Sequence, residues 1–200
     1  FLVVAAIGAM HDKPPDAARP RVECAGRGGE VVRPPPLHQV FRIGPRGLGP
    51  AYRAGFRIAL AEGYDVVIEM DADLSHDPRE LPTLVAAVQN GADLAIGSRY
   101  VRGGATPGWP ARRRFLSRAG GWYARTLLHL PVHDVTSGYR AYRAQLLRDI
   151  AIDTVTTTGY GFQIEMTDRA RQAAARIVET PIVFRDRTAG TSKMSGAIAR

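Results

Sequence analysis

Apolar residues recur at helical spacing through Tyr52, Phe56, Ala59 and Leu60, in a stretch that opens at Gly47-Leu-Gly49 and closes at Gly63; the pattern predicts an amphipathic helix. The run Tyr64-Asp-Val-Val-Ile-Glu-Met70 follows and reads as a buried strand. Asp77-Pro78 then supplies an N-cap and a first-turn proline for a helix over Arg79 to Gln89, stopped at Asn90-Gly91. Ala92-Asp-Leu-Ala-Ile96 is the next predicted strand. Helix, strand, helix and strand in succession predict an α/β domain whose sheet is mostly parallel and wound right-handedly.

Farther along, Gly97-Ser-Arg99 leaves that strand for a Gly/Pro loop that runs to Pro110, and Arg112 to His129 reads as a helix. Tyr139 to Arg143 alternates like a short strand, Phe162 to Ala175 is helical, and Arg176 to Phe184 is a last strand with Pro181 near an edge or bend. Phe162, Ile164 and Met166 read as core. The first forty residues differ. Lys13-Pro-Pro15, Gly26-Arg-Gly-Gly29 and Arg33-Pro-Pro-Pro36 carry no period of 2 or 3.6, so residues 1–40 are set apart as an atypical Pro/Gly/Arg-rich segment and 41–200 as the folded domain.

A chain of 200 residues with 45% hydrophobic content supports one domain with a real core. The single cysteine, Cys24, excludes an internal disulfide and fits a reducing, cytosol-facing setting. No apolar run reaches the ~20 residues that a membrane-spanning helix needs. The first residue is Phe1, not methionine, so a longer parent product is expected. The net charge of +8 calls for anionic partners. Neither zinc-finger spacing nor an RNP-type aromatic signature is present, and a nucleic-acid partner is not expected.

Candidate chemistry centres on Asp71-Ala72-Asp73, which places two carboxylates one residue apart where the strand ends. Ligands of open α/β sheets gather outside the carboxyl ends of the strands, and carboxylates there are hard oxygen ligands suited to Mg²⁺ or Mn²⁺ carrying a diphosphate. Read alone, the pair is equally compatible with solvated turn acids or a helix cap. Arg113, Arg187 and Lys193 on their own read as surface charge. His76, His129 and His133 lack metal-ligand spacing and read as packing or surface residues. Trp109, Phe115, Leu116, Trp122 and Tyr123 beside Arg112-Arg-Arg114 make either an interfacial element or an ordinary core helix.

Taken in order, Gly47-Leu-Gly49 with Ala51-Tyr52, Met70-Asp-Ala-Asp-Leu-Ser-His76 with Pro78, Gly97-Ser-Arg-Tyr100, Trp109 with Arg113, Asp134-Val-Thr-Ser-Gly-Tyr-Arg140, Gly159-Tyr160 with Phe162-Gln-Ile-Glu-Met166, and Arg187 with Gly190-Thr-Ser-Lys193 resemble the dolichol- or polyprenol-phosphate mannosyltransferases. These are inverting GT-A glycosyltransferases of family 2. The resemblance implies transfer of mannose from GDP-mannose to a polyprenyl (dolichyl) phosphate at the cytosolic face of a membrane, by a peripheral enzyme that uses Mg²⁺ or Mn²⁺. By position it gives Asp71, Ala72 and Asp73 contact with the donor, makes Asp73 the metal ligand and catalytic residue, and assigns Arg113, Arg187 and Lys193 to phosphate. Ser75 stands where some members place a glutamine metal ligand. Asp134 with Arg140, and Gln163 with Glu165, are either structural or part of the acceptor pocket, while Arg99 braces either Asp71 or the neighbouring loop. A membrane subunit that anchors the protein is a further possible partner.

The front of the chain departs from that pattern. The family opens with a strand into Pro-x-Tyr-Asn-Glu and a second strand ending in paired aspartates, which hold the guanine nucleoside. Phe1-Leu-Val-Val4 is similar to the second strand, but Ala5-Ala6 occupies the aspartate positions. Residues 5 to about 40 therefore read as a frame-shifted or divergent replacement, which leaves two alternatives open: a donor such as UDP-glucose, or a non-catalytic chain that binds phosphorylated lipid.

Overall fold

The computed structural model describes residues 2–7, 24–25, 31–32, 48–71 and 73–186. Among the described residues three strands precede the first helix: β1 (Leu2–Ile7) and the short pair β2 (Cys24–Ala25) and β3 (Val31–Val32). The rest of the expected N-terminal segment lies outside the described residues.

Helix α1 (Leu48–Ala61) turns Tyr52, Phe56 and Ala59 inward, each at most 4% exposed. The aromatic rings continue into a stack, Tyr52 lying 5.4 Å from Phe162 at an interplanar angle of 11°. The helix ends in a Schellman arrangement: Tyr64 N–H donates to Ala59 C=O (3.2 Å), Gly63 N–H donates to Leu60 C=O (3.3 Å), and Gly63 takes the left-handed φ of 78°. Gly49 is dictated by packing, since a Cβ there would stand 2.7 Å from the Thr157 carbonyl oxygen.

Strand β4 (Val66–Asp71) alternates its faces: Val67 enters the cluster with Tyr52, Phe56 and Phe162, whereas Val66 and Ile68 face Leu84, Val85 and Val88 of α2 (Leu81–Gln89). Burial on both faces explains the unbroken apolar run in the sequence. Asp77 caps as expected, accepting from Arg79 N–H at 3.0 Å, but Pro78–Glu80 form a 3₁₀ turn before α2 begins. Then come β5 (Leu94–Ser98), α3 (Ala111–Leu128), β6 (Arg140–Arg143), α4 (Ala144–Asp149), α5 (Tyr160–Gln172) and β7 (Ile177–Pro181).

The five-stranded sheet has the order β1-β4-β6-β5-β7. Strands β4, β5 and β7 run the same way, as a wound α/β unit requires. Strand β6 inserts antiparallel between β4 and β5, and β1 flanks β4 antiparallel, so the sheet is mixed and the mostly parallel expectation gives way at those strands. The insertion has a geometric consequence. Because β6 starts where its neighbours end, with Arg140 opposite both Glu69 and Ile96, the loop before it lies at the same edge as Asp71. Among the described residues no helix is long and apolar enough to cross a membrane.

Candidate active site

Asp71 is the last residue of β4 and Asp73 stands in the turn beyond it, both half-buried; Ala72 lies outside the described residues. Asp73 Oδ1 accepts the N–H of Ser75 at 3.1 Å, and Leu74 is carried outward, 71% exposed, with φ at 65°. The turn closes on His76, whose Nδ1 accepts the N–H of Asp71 at 3.2 Å. His76 is buried between Tyr139 (stacked, 4.9 Å) and Phe184 (edge-on, 5.3 Å). Burial, reinforced by the charge of Arg99, lowers its pKa to about 4. The imidazole is therefore neutral, and one nitrogen is committed to holding the strand end.

Arg99 follows β5 and points into this wall. Its N–H and Nε donate to Asp134 Oδ2 at 2.9 and 2.7 Å, and Nη2 donates to Asp134 Oδ1 at 2.6 Å and to Thr136 Oγ1 at 2.9 Å. Burial alone would depress the guanidinium, but Asp134 outweighs it and the pKa rises. Trp109 and Phe184 pack around the same cation, at 5.6 and 5.5 Å. Asp134 thus pairs with Arg99 and not with Arg140, and Arg99 braces the loop and not Asp71. Arg140 instead faces Glu69 directly across β6 and β4, Nε to Oε1 3.7 Å, with both side chains fully buried. Glu179 of β7 fixes the start of the loop by accepting the N–H groups of His133 (2.8 Å) and Asp134 (2.9 Å).

Arg113, in the first turn of α3, donates to Asp186 at 2.6 Å and lies 3.9 Å above the Trp109 ring. Asp186 immediately precedes Arg187, which with Lys193 lies outside the described residues. The segment before it is bound to the turn that follows β4, Arg185 N–H donating to Ser75 C=O at 3.1 Å. Three segments distant in sequence therefore meet at one edge: the Asp71–Asp73 turn, the start of α3 and the stretch after β7.

The structure takes one side of an alternative left open for Trp109 and gives Glu165 structural partners. Trp109 is only 6% exposed and packs against Phe184 at 5.5 Å, because Pro110 breaks the chain before α3 begins; it is not part of an exposed face. Glu165 accepts from the Thr157 hydroxyl (2.6 Å) and from Arg169 (2.9 Å), and these bonds hold it below its ordinary pKa although burial pulls the other way. Gln163 is buried near Gly138, while Phe162 and Met166 are core as expected. The rest of the aromatic stretch is exposed: Phe115 75%, Leu116 59%, Trp122 65%, Tyr123 64%, with Leu127 at 61%. At 3.6 residues per turn these five fall within an arc of about 140° on α3. Arg114, Arg118 and Arg125 border that stripe, and among the described residues no ion pair engages them. Along this border a cavity of about 410 Å³ is lined by Trp122, Arg125, Thr126, His129 and Leu130, and one of about 220 Å³ by Tyr100, Arg118, Trp122, Arg125 and His133.

The family model described as glycosyl transferase family 2 matches residues 21–151. The chain belongs to glycosyl transferase family 2. This family 2 glycosyltransferase is 46% identical over 199 residues to an undecaprenyl-phosphate mannosyltransferase of Micrococcus luteus, covering 96% of this chain and 82% of that one. It is 50% identical over 170 residues to a polyprenol monophosphomannose synthase of Mycolicibacterium smegmatis, covering 85% of this chain and 64% of the relative. Among solved structures it shares its fold with glucosyl-3-phosphoglycerate synthase from Mycobacterium tuberculosis in complex with Mn²⁺, UDP and glucosyl-3-phosphoglycerate, at a TM-score of 0.53 and 20% identity, over 74% of this chain and 49% of that one.

The carboxylates of Asp71 and Asp73 at the strand end are hard oxygen donors of the kind a divalent ion takes. Among the described residues no group of three His, Cys, Asp or Glu forms a protein cage. An ion bound through one or two carboxylates at a strand end, completed by water and substrate phosphate, needs no such cage.

Proposed function

We propose that this chain transfers a mannosyl group from GDP-mannose to the phosphate of a polyprenyl lipid, with inversion and with a divalent metal, at a membrane surface. The observation that carries this reading is the half-buried Asp71–Asp73 turn at the end of β4, joined to the loop before β6 and to the segment leading to Arg187. The names of the relatives that are 46% and 50% identical support mannose as the sugar and polyprenyl phosphate as the acceptor.

Asp71 and Ala72 contact the donor, and Asp73 would hold the metal, which would supply positive charge against the charge growing on the departing GDP. Arg113, Arg187 and Lys193 bring cations to the meeting of two anions; a guanidinium grips phosphate oxygens in a fork, and an ammonium adds a mobile charge. The nucleophile is an oxygen of the acceptor phosphate, already ionised near neutral pH, so no general base is assigned. His76 is unsuited to that task in any case, being buried, a weak base and bonded through Nδ1 to Asp71 N–H. The exposed stripe of α3 enters the lipid boundary while Arg114, Arg118 and Arg125 meet headgroup phosphates. The protein then works as a peripheral enzyme at the cytosolic face, alone or with an anchoring subunit.

The test is transfer of labelled mannose from GDP-mannose to a short polyprenyl phosphate with Mn²⁺, comparing the chain with Asp73→Asn. Lipid-linked label that falls by about 10²- to 10³-fold in the variant is expected, the usual loss when one contact stabilising transition-state charge is removed. Label unaffected by the substitution, or absent from the parent, would overturn the reading. Competition of GDP against UDP in the same assay reports the base of the donor.

A further inference from the structure

Arg140 opens β6 without any exposed surface. Its guanidinium donates in two directions. Nε and Nη2 reach the carbonyls of Ser137 (2.8 Å) and Val135 (3.0 Å) in the loop before β6, and Nη1 reaches the Gln163 carbonyl (3.1 Å) and Thr167 Oγ1 (3.0 Å) on α5. The Glu69 carboxyl of β4 stands 3.7 Å from Nε. One side chain thus ties loop 134–139 to a helix and to the strand that ends in Asp71.

The same loop rests on the donor turn. Tyr139 stacks on His76 at 4.9 Å, and its hydroxyl donates to the Asp77 carbonyl at 3.2 Å. Gly138 brings the loop backbone alongside Asp71: a Cβ there would make ordinary contacts, 3.4 Å from Tyr52 Oη and 3.9 Å from Asp71 Oδ2. Loop 134–139 is therefore the backing against which the Asp71–Asp77 turn is set.

We propose that Arg140 is a positioning residue for the donor side of the reaction: by gripping two carbonyls of loop 134–139 against α5 and β4, it sets where the Asp71–Asp73 turn presents its carboxylates. The planar fork is what suits arginine to the place. Five fixed N–H groups serve carbonyls on two elements at once, whereas an ammonium has three donors at a single point. The kinetic consequence rests on the transferase reading above; the packing consequence does not.

Arg140→Lys keeps the charge and removes the fork, and Thr167→Val removes one acceptor at nearly constant volume. Hydrogen exchange of the free, metal-free protein is measured segment by segment for the parent and both variants, with KM for GDP-mannose and for a short polyprenyl phosphate. In R140K, amides in segments 73–77 and 134–139 should exchange about tenfold faster while those of α2 keep their rates. The KM for GDP-mannose should rise about tenfold and that for the lipid stay within about twofold. T167V should move the same quantities by about threefold, and it decides the matter should R140K not fold. Unchanged exchange and unchanged KM values overturn the proposal. So does uniformly faster exchange across the sheet with unchanged KM, the signature of a residue that only holds the fold together. A parent chain without transfer refutes the mannosyltransferase reading alone, since the exchange pattern still decides the role of Arg140.

Discussion

Arg99 and Asp134, 35 positions apart in the chain, are joined by three hydrogen bonds of 2.9, 2.7 and 2.6 Å, with the arginine side chain 8% exposed and the aspartate fully buried. A pair this deep offsets its own desolvation only while both partners are present. Asp134→Ala should therefore lose about 3–5 kcal/mol in urea unfolding, whereas the double replacement Arg99→Leu with Asp134→Leu should lose less, because no uncompensated charge stays behind. A single variant as stable as the parent would show that the pair does not carry the loop.

His76 gives a pH dependence with a definite sign. Its pKa in the folded state is about 4, against 6.5 for the free side chain. Between these values the unfolded chain binds a proton that the native protein refuses, so stability is full above pH 6.5 and falls as pH drops toward 4. The loss amounts to about 3 kcal/mol by linkage. Unfolding of His76→Phe in a chelator should lack this decline at the acid end; a profile parallel to the parent's would place the decline elsewhere.

Glu69 contributes in the opposite sense. Burial pushes its pKa from 4.5 up to about 8, although Arg140 pulls it down. Here the native state retains a proton that the unfolded chain has released, so stability falls as pH rises through 4.5 to 8. Glu69→Gln should remove that fall, leaving melting temperature flat or rising across the window. The two windows overlap between pH 4.5 and 6.5, so each variant uncovers the slope that the other residue hides.

The exposed stripe of α3 makes a prediction of another kind. Replacing Phe115 and Trp122, 75% and 65% exposed, with serine should weaken binding to anionic vesicles by about tenfold while changing stability by less than about 1 kcal/mol. Trp109→Ser should instead cost about 3–5 kcal/mol, because that ring is buried against Phe184 and Arg113. Cosedimentation of the double variant equal to the parent's would remove α3 as a lipid-facing element.

The sequence carried the fold wherever a period ran long enough to repeat. Tyr52, Phe56 and Ala59 announce α1, and the apolar run before Asp71 announces β4. Helix α4, only six residues, is too short for its period to emerge. The direction of β6 was not legible either, since alternation marks a strand without saying which way it lies. Partner choice was the harder problem: Asp134 and Arg140 are near in sequence, yet β-register gives Arg140 to Glu69 and leaves Asp134 to Arg99. The burial of Trp109 depends on Phe184, and His76 carries no motif that announces a bond to Asp71 N–H. Of the expected site residues, Asp71, Asp73 and Arg113 come to one edge of the sheet, while Ala72, Arg187 and Lys193 fall outside the described residues.

The insertion of β6 between β4 and β5 also sets the order in which this molecule can be made. A nascent chain that has emerged as far as Ser98 holds β4 and β5 but lacks the central strand that pairs with both, so these two strands have no common partner until Arg143 is synthesised. Contacts of such sequence separation form late and leave apolar strand edges uncovered in the meantime. The edges of β4 and β5 that face each other across β6 thus stay open until Arg140–Arg143 is in place to close both.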